Sequence, residues 1–527
     1  MEVDEPVIVT SVDCYDSVIK TKRDLEDFCR LSVQTGFDLS LLRSGEFKIG
    51  LKFRNFSTPR PIIRIWENTS WTGNLDYLND DATAAAQIQC TTFGETLTSP
   101  VIIPTFYWAL HDSNVAHLIF EGTEKGTGEL VVCICNKDGL EIGEAGSTWI
   151  KLMDVKEMYQ RARIVNEAEQ IPDPSSLNPN PPPQAWSWDP SGNPYVEDPE
   201  AASITAIFVH GWRMKYTDFQ NYSDTSYKRL WHQGFKGKFY SFRWATFSGD
   251  NNGLPYGYDE ILEHTKFPPG GLTYDASEYR AWLCGPALAA FVNQLPNPSS
   301  QKKLFAHSMG NVIAGSALRS GMVIDSYALC NAAMAAMAYD PNPILKKNFA
   351  APNNDLSNIF LRLTPHTTPD TDPDPAIRDS FGLEDKFTVG SVRIKFNFGL
   401  PQDSALGSWT ANNLYFKPDH EGSYYYQEVP QPPNISYKLF QAPPNGINPR
   451  EVTNLPEAMG YVTKFLTRAV GADLRTQGSI QGFQDMSGWG PSASHSGFGD
   501  THSAQWRWNN QSTCLFWKML VDKLELK

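Results

Sequence analysis

The sequence predicts a two-domain chain in which an α/β domain with a mostly parallel central sheet follows a β-rich, sandwich-like N-terminal domain. Three observations lead there. At 527 residues the chain is too long for one ordinary hydrophobic core. The stretch from Ile171 to Glu200 contains DPSSLNPNPPPQAWSWDPSGNP, and proline neither continues a helix nor donates to a strand ladder, so it reads as a linker. Across it the pattern changes from closely spaced Val-, Ile-, Phe- and Tyr-rich runs to buried strands alternating with helices, the signature of a parallel sheet. The expected division is 1–170 for the β-rich domain, 171–200 for the linker and 201–527 for the α/β domain.

In the first region the runs FKIGLKFRNF, PIIRIW, SPVIIPTFYW, AHLIFEG and ELVVCICNKDGLEIG have the composition and turn signals of short strands. Asn136 to Gly139 is a turn sequence between two of them, a hairpin signal. One helix is expected in TKRDLEDFCRLSV. Cys133 and Cys135 lie two apart in a strand and therefore on one face, where buried free thiols are the simplest reading. No catalytic chemistry is visible here. The aromatic and acidic residues suit packing or an interdomain role before carbohydrate or polymer binding.

After the linker, AIFVHGW is a strand running into a tight turn and FKGKFYSFRW a second strand. DASEYRAWLCGPALAAFVNQL has helical spacing and stops before Pro296 and Pro298. QKKLFAHS is a strand, NVIAGSALRSG a helix closed by Gly321, and SYALCNAA another strand.

Composition narrows the function classes. The net charge of -14 argues against a nucleic-acid partner, whose phosphates demand Lys and Arg. The apolar stretch from Tyr327 to Tyr339 is too short to cross a bilayer, so no transmembrane segment is expected. MEVDEPVIVT has neither a basic region nor a long apolar run, so no signal peptide is expected in this sequence; the compartment stays open, secretion after signal removal included. The eight cysteines form no metal-binding spacing. Asp370, Asp372 and Asp374 alternate as in a calcium loop, but Pro375 takes the place of the turn glycine and Phe381 that of the closing Glu. No metal and no cofactor are expected.

The segment Ala306-His307-Ser308-Met309-Gly310 stands between a strand and a helix, with small residues at both ends of a turn that must lift the serine hydroxyl clear of the sheet. Roughly 100 residues earlier, Val209-His210-Gly211-Trp212 ends another buried strand, as such a topology requires. Together these resemble the α/β-hydrolase superfamily, in particular its lipase and esterase branches, with Ala306 where the commoner first glycine would stand. The resemblance covers residues from about Ser203 to the C-terminus. It implies that Ser308 is the nucleophile, that the N–H groups of Met309 and Trp212 form the oxyanion hole, and that His210 braces its loop. It also implies the chain order serine, acid, histidine.

For the acid, Asp403 follows the apolar strand in VRIKFNFGLPQDSALGSW; Asp340, after SYALCNAAMAAMAY, is the rival. Residues 341–390 would be a cap or insertion. Of the histidines after Ser308, His366 and His420 fit the implied order poorly. His495 lies in the Gly/Ser-rich SGWGPSASHSGFG, whereas His502 stands before the closing helix of SAQWRWNNQSTCLFWKMLVDKL, where the resemblance places the base. The expected triad is Ser308, His502 and Asp403, with His495 and Asp340 as alternates. The expected activity is hydrolysis of carboxylic esters, whether small-molecule, lipid or polymeric. The same triad would serve an amidase, a peptidase or an acyltransferase, and a hydrolase-like fold can also be kept as a non-catalytic binding protein.

Overall fold

The computed structural model describes residues 25–164, 185–189, 195, 201–212, 214, 216–244, 271–334, 392–399, 424–431, 434–441, 480, 482–486, 502–507 and 511–527. The N-terminal half begins with β1 (Cys29–Gln34), β2 (Phe47–Arg54), β3 (Ile62–Glu67), β4 (Gly94–Glu95), β5 (Val101–Ile102), β6 (Val115–Glu124), β7 (Gly126–Asn136) and β8 (Glu141–Leu152). They form two antiparallel four-stranded sheets, ordered β1-β6-β3-β4 and β5-β2-β7-β8. Ile63, Ile65, Leu118 and Phe120 from one sheet share a core with Ile49, Leu51, Phe53 and Leu130 from the other. That shared core makes the pair a sandwich. On the outer face of β2 the alternate residues are cationic: Lys52 pairs with Glu141 and Glu144, and Arg54 with Glu129 and Glu144.

The Asn136–Gly139 turn closes the β7–β8 hairpin as expected, with the Gly139 N–H donating to the Asn136 carbonyl at 2.9 Å. Cys133 and Cys135 are buried free thiols. Two local expectations are corrected. Among the described residues of the stretch where a helix is expected, Leu25–Asp27 forms a 3-10 turn, and Cys29–Gln34 is a strand paired residue for residue with β6. In SPVIIPTFYW the strand stops at Ile102, and Thr105–Leu110 is a short helix after Pro104 that buries Tyr107 and Trp108.

The described residues of the rest of the chain are organised by one eight-stranded sheet. Its strands are β9 (Gln160–Ile164), β10 (Trp186–Trp188), β11 (Ala202–Val209), β12 (Gly237–Arg243), β13 (Lys302–His307), β14 (Ser326–Cys330), β15 (Ile394–Gly399) and, after a separate hairpin of β16 (Tyr424–Gln431) and β17 (Asn434–Gln441), β18 (Gly482–Asp485). The order is β10-β9-β12-β11-β13-β14-β15-β18, and only β10 runs antiparallel to its neighbour. The sheet therefore reaches past the boundaries expected at 170 and 200. β9 comes from before the proline-rich stretch and β10 from within it.

Among the described residues four helices cover this sheet: α1 (Tyr216–His232), α2 (Gly271–Gln294), α3 (Gly310–Arg319) and α4 (Gln511–Lys523). Because side chains alternate across a strand, each central strand feeds two cores. Ile207, Val209, Tyr240, Phe242, Leu304 and Ala306 pack with Phe291 of α2 and Ile313 of α3. Ala206, Phe208, Phe239, Phe305 and Ala328 pack with Leu230 of α1 and Leu520 of α4. Both faces are covered, which is why these strands read as unbroken apolar runs. Among the described residues no helix is long and apolar enough to cross a membrane.

A charged clasp ties the sheet to the C-terminus. Asp325, just before β14, accepts two bonds from Arg393 at 3.0 and 3.1 Å and one from Lys303, while Arg393 also holds Glu525. Burial alone would raise the Asp325 pKa, but Arg393, Lys303 and Ser326 outweigh it and hold the carboxyl down to about 2. An unfolded aspartate titrates near about 3.9, so this stabilisation is complete above that value and is lost as pH falls through the folded value. Asp325→Asn is therefore expected to cost about 1–3 kcal/mol at neutral pH. The gap between variant and wild type should close as pH falls from about 4 to about 2, read by urea unfolding across a pH series.

Candidate active site

A parallel sheet offers a crevice where consecutive strands leave in opposite directions, at the carboxyl ends of the strands. Here that point lies between β11 and β13. From β11 the chain goes through α1 to β12 on one side, and it returns through α2 to β13 on the other. The two segments that leave the carboxyl ends of β11 and β13 are His210-Gly211-Trp212 and Ser308-Met309.

Ser308 sits between the end of β13 and the start of α3 and has a φ of +53°. A serine rarely adopts this left-handed conformation, because Cβ crowds the following carbonyl. Its neighbours hold it there. The Ser308 N–H donates to the Cys330 carbonyl at 3.0 Å, and the Ser308 carbonyl accepts from the N–H groups of Asn311 and Ala333, both at 3.1 Å. The Asn311 amide donates to the carbonyls of Ala306 at 2.9 Å and Ser308 at 2.8 Å, while its oxygen accepts from the Tyr327 hydroxyl at 2.6 Å. Asn311 is fully buried and pins both ends of the turn.

The small residues are there for space. A Cβ on Gly310 would lie 2.5 Å from the His210 carbonyl oxygen and 2.7 Å from that of Val209. On Gly211 it would lie 2.9 Å from the Ser308 Cβ. The Gly211 loop therefore rests directly on the serine turn, and Trp212, which follows it, packs partly buried against the core beneath α2 and α3.

His210 is fully buried. Its Nδ1 donates to the Gly211 carbonyl at 2.8 Å, and its Nε2 accepts from the Trp244 N–H at 3.2 Å. Burial, reinforced by the nearby Arg243 charge, pushes its pKa down to about 3. A neutral ring with both nitrogens committed braces the loop and has no lone pair to offer a serine.

His502 lies in the turn that opens the Ala504–Arg507 helix and is buried. Its ring centroid is 4.8 Å from that of His307, the residue before Ser308, and its carbonyl accepts from His307 Nε2 at 2.9 Å. The histidine turn is thus packed against the serine turn although 194 residues separate them in sequence. Met309 is buried at the entry to α3. Asp403, Asp340 and His495 lie outside the described residues, as do 341–390 and the acidic run around Asp370. Of the strands leading to the two acids, β14 and β15 lie next to each other on the far side of β13.

Sequence reasoning missed His307, Asn311 and Tyr327 as parts of this site. His307 and Asn311 flank the serine within one turn of helix, so an asparagine at the start of the helix after the motif was a usable signal. Tyr327 meets Asn311 only through the fold.

No family model matches the chain, and no curated protein matches it. Among solved structures the chain is similar to an acetyl xylan esterase from Paenibacillus sp. R4, at 12% identity over 53% of this chain and 70% of that chain, with a TM-score of 0.19. A likeness this slight carries no argument about activity.

The packing yields a test. Gly310→Val should abolish the ordered turn, because its neighbours are backbone carbonyls that have nowhere to go. Asn311→Ala should destabilise the chain by about 1–3 kcal/mol through its lost buried bonds. Thermal unfolding of both variants checks this; a melting temperature equal to wild type for either would contradict the account.

Proposed function

We propose that the chain is a serine hydrolase of the α/β-hydrolase type that cleaves carboxylic esters through an acyl-enzyme on Ser308. The observation that carries this reading is the left-handed Ser308, held at the crevice between β11 and β13 with the His502 turn packed against it. Strain of this kind at a serine is unexplained by packing needs alone, since glycine would adopt the same backbone at less cost.

In the proposed reaction His502 takes the proton from the Ser308 hydroxyl as its oxygen bonds to the ester carbonyl carbon. The tetrahedral oxyanion is met by the N–H of Met309, at the positive end of the α3 dipole, and by that of Trp212. The carbon–oxygen bond to the leaving alcohol then breaks, and the alcohol departs with the proton held by His502. Water repeats the sequence: His502 accepts its proton as its oxygen bonds to the acyl carbon, the bond to Ser308 breaks as His502 returns that proton to the serine oxygen, and the acid leaves. Asp403 is assigned to orient His502, with support from its place just beyond β15; Asp340, beyond β14, is the rival. The substrates proposed are small-molecule, lipid or polymeric esters.

Nitrophenyl esters of increasing chain length, with an emulsified triglyceride and a peptide amide alongside, test the reading. Ser308→Ala is expected to remove at least about a thousandfold of turnover while leaving the chain folded. Asp403→Asn should reduce the rate far more than Asp340→Asn, and the reverse order would move the acid to Asp340. Preference for the amide would overturn the ester assignment.

A further inference from the structure

The polar contacts around the histidine turn lead away from the sheet and into the N-terminal segment. The carbonyl of Gln505, in the short helix that follows His502, accepts from the Arg229 guanidinium on α1 and from the Trp517 indole N–H at 2.8 Å. The Gln505 side-chain amide donates to Asn331 at 2.7 Å, and the Asn331 N–H donates to the Phe398 carbonyl at 2.9 Å. Arg229 in turn is held by Glu26, with Nε to Oε1 at 2.5 Å and both side chains 6% exposed.

The Leu25–Asp27 turn is itself fastened to α1. Lys228 donates to Asp27 at 2.6 Å and His232 Nε2 to the Glu26 carbonyl at 2.7 Å. One buried guanidinium thus bridges a carboxylate that precedes the sandwich and a carbonyl three residues after the proposed base. A single ion pair for stability would not need the second arm. The planar fork of arginine lets it grip both, which a lysine cannot reproduce.

We propose that Arg229, set by Glu26, is a positioning residue for His502: the segment ahead of the sandwich fixes the turn that presents the base to Ser308. The inference rests on the hydrolase reading above. It gives the N-terminal region a part in turnover without contact with substrate.

Arg229→Lys keeps the ion pair with Glu26 and forfeits the fork, so it separates positioning from simple charge pairing. With a nitrophenyl ester, kcat of Arg229→Lys is expected to fall about tenfold or more, as misplacement of a catalytic group does, with KM within about twofold and the folded fraction unchanged by circular dichroism. Glu26→Gln should lower kcat in the same direction. Should Arg229→Lys fail to fold, Glu26→Gln decides alone. A folded variant with wild-type kcat, or a loss of rate that only follows unfolding, overturns the proposal. If the wild type itself shows no Ser308-dependent turnover, the hydrolase reading has failed; if it does and the variants match it, only the positioning role has.

Discussion

The structure turns on one backbone conformation. Ser308 must end β13, reverse direction and begin α3 within a residue, and it does so at a φ of +53°. A non-glycine residue in that region carries strain of order 1–3 kcal/mol, which persists only where the surroundings fix every neighbouring group. Cys330, Ala333 and Asn311 take the Ser308 backbone groups. Gly211 and Gly310 leave room for the two loops to touch. The side chain that results stands at the carboxyl edge of the sheet, above the point where the chain changes direction.

That point is set by how the sheet is wound. Travel from β11 to β12 puts α1 on one face, and travel the other way, to β13 and β14, puts α2 and α3 on the opposite face. A right-handed connection allows nothing else. The same winding lays α4 against the α1 face and carries the histidine turn back over the carboxyl ends of β13 and β14. Serine, bracing histidine and candidate base are brought together by topology rather than by proximity in sequence.

How much of this was legible in the sequence depends on the range of the forces. β11, β13 and β14 are buried on both faces and announce themselves as apolar runs ending in turn residues. The serine turn was readable because small residues on either side of a serine have a steric purpose. The segment around Cys29–Gln34 carries a local helical signal because Leu25 and Phe28 have helical spacing, whereas Leu31 and Val33 alternate and pair with β6. The alternating Trp186 and Trp188 were hidden by the surrounding prolines, yet they form the strand β10 packed on Phe291. Asn311 with Tyr327, and Glu26 with Arg229, are long-range pairs that no local pattern encodes. Asp403 and Asp340 each come in sequence after a parallel strand, β15 and β14, so the local pattern marks the two alike.

The central claim is that the strained serine is an activated nucleophile. It is tested most directly by treating the folded chain with a fluorophosphonate and mapping the adduct by peptide mass spectrometry. A single covalent adduct on Ser308 is expected, formed much more slowly in His502→Ala. Absence of labelling in folded wild-type protein, or labelling at Ser308 that is indifferent to His502, would contradict it.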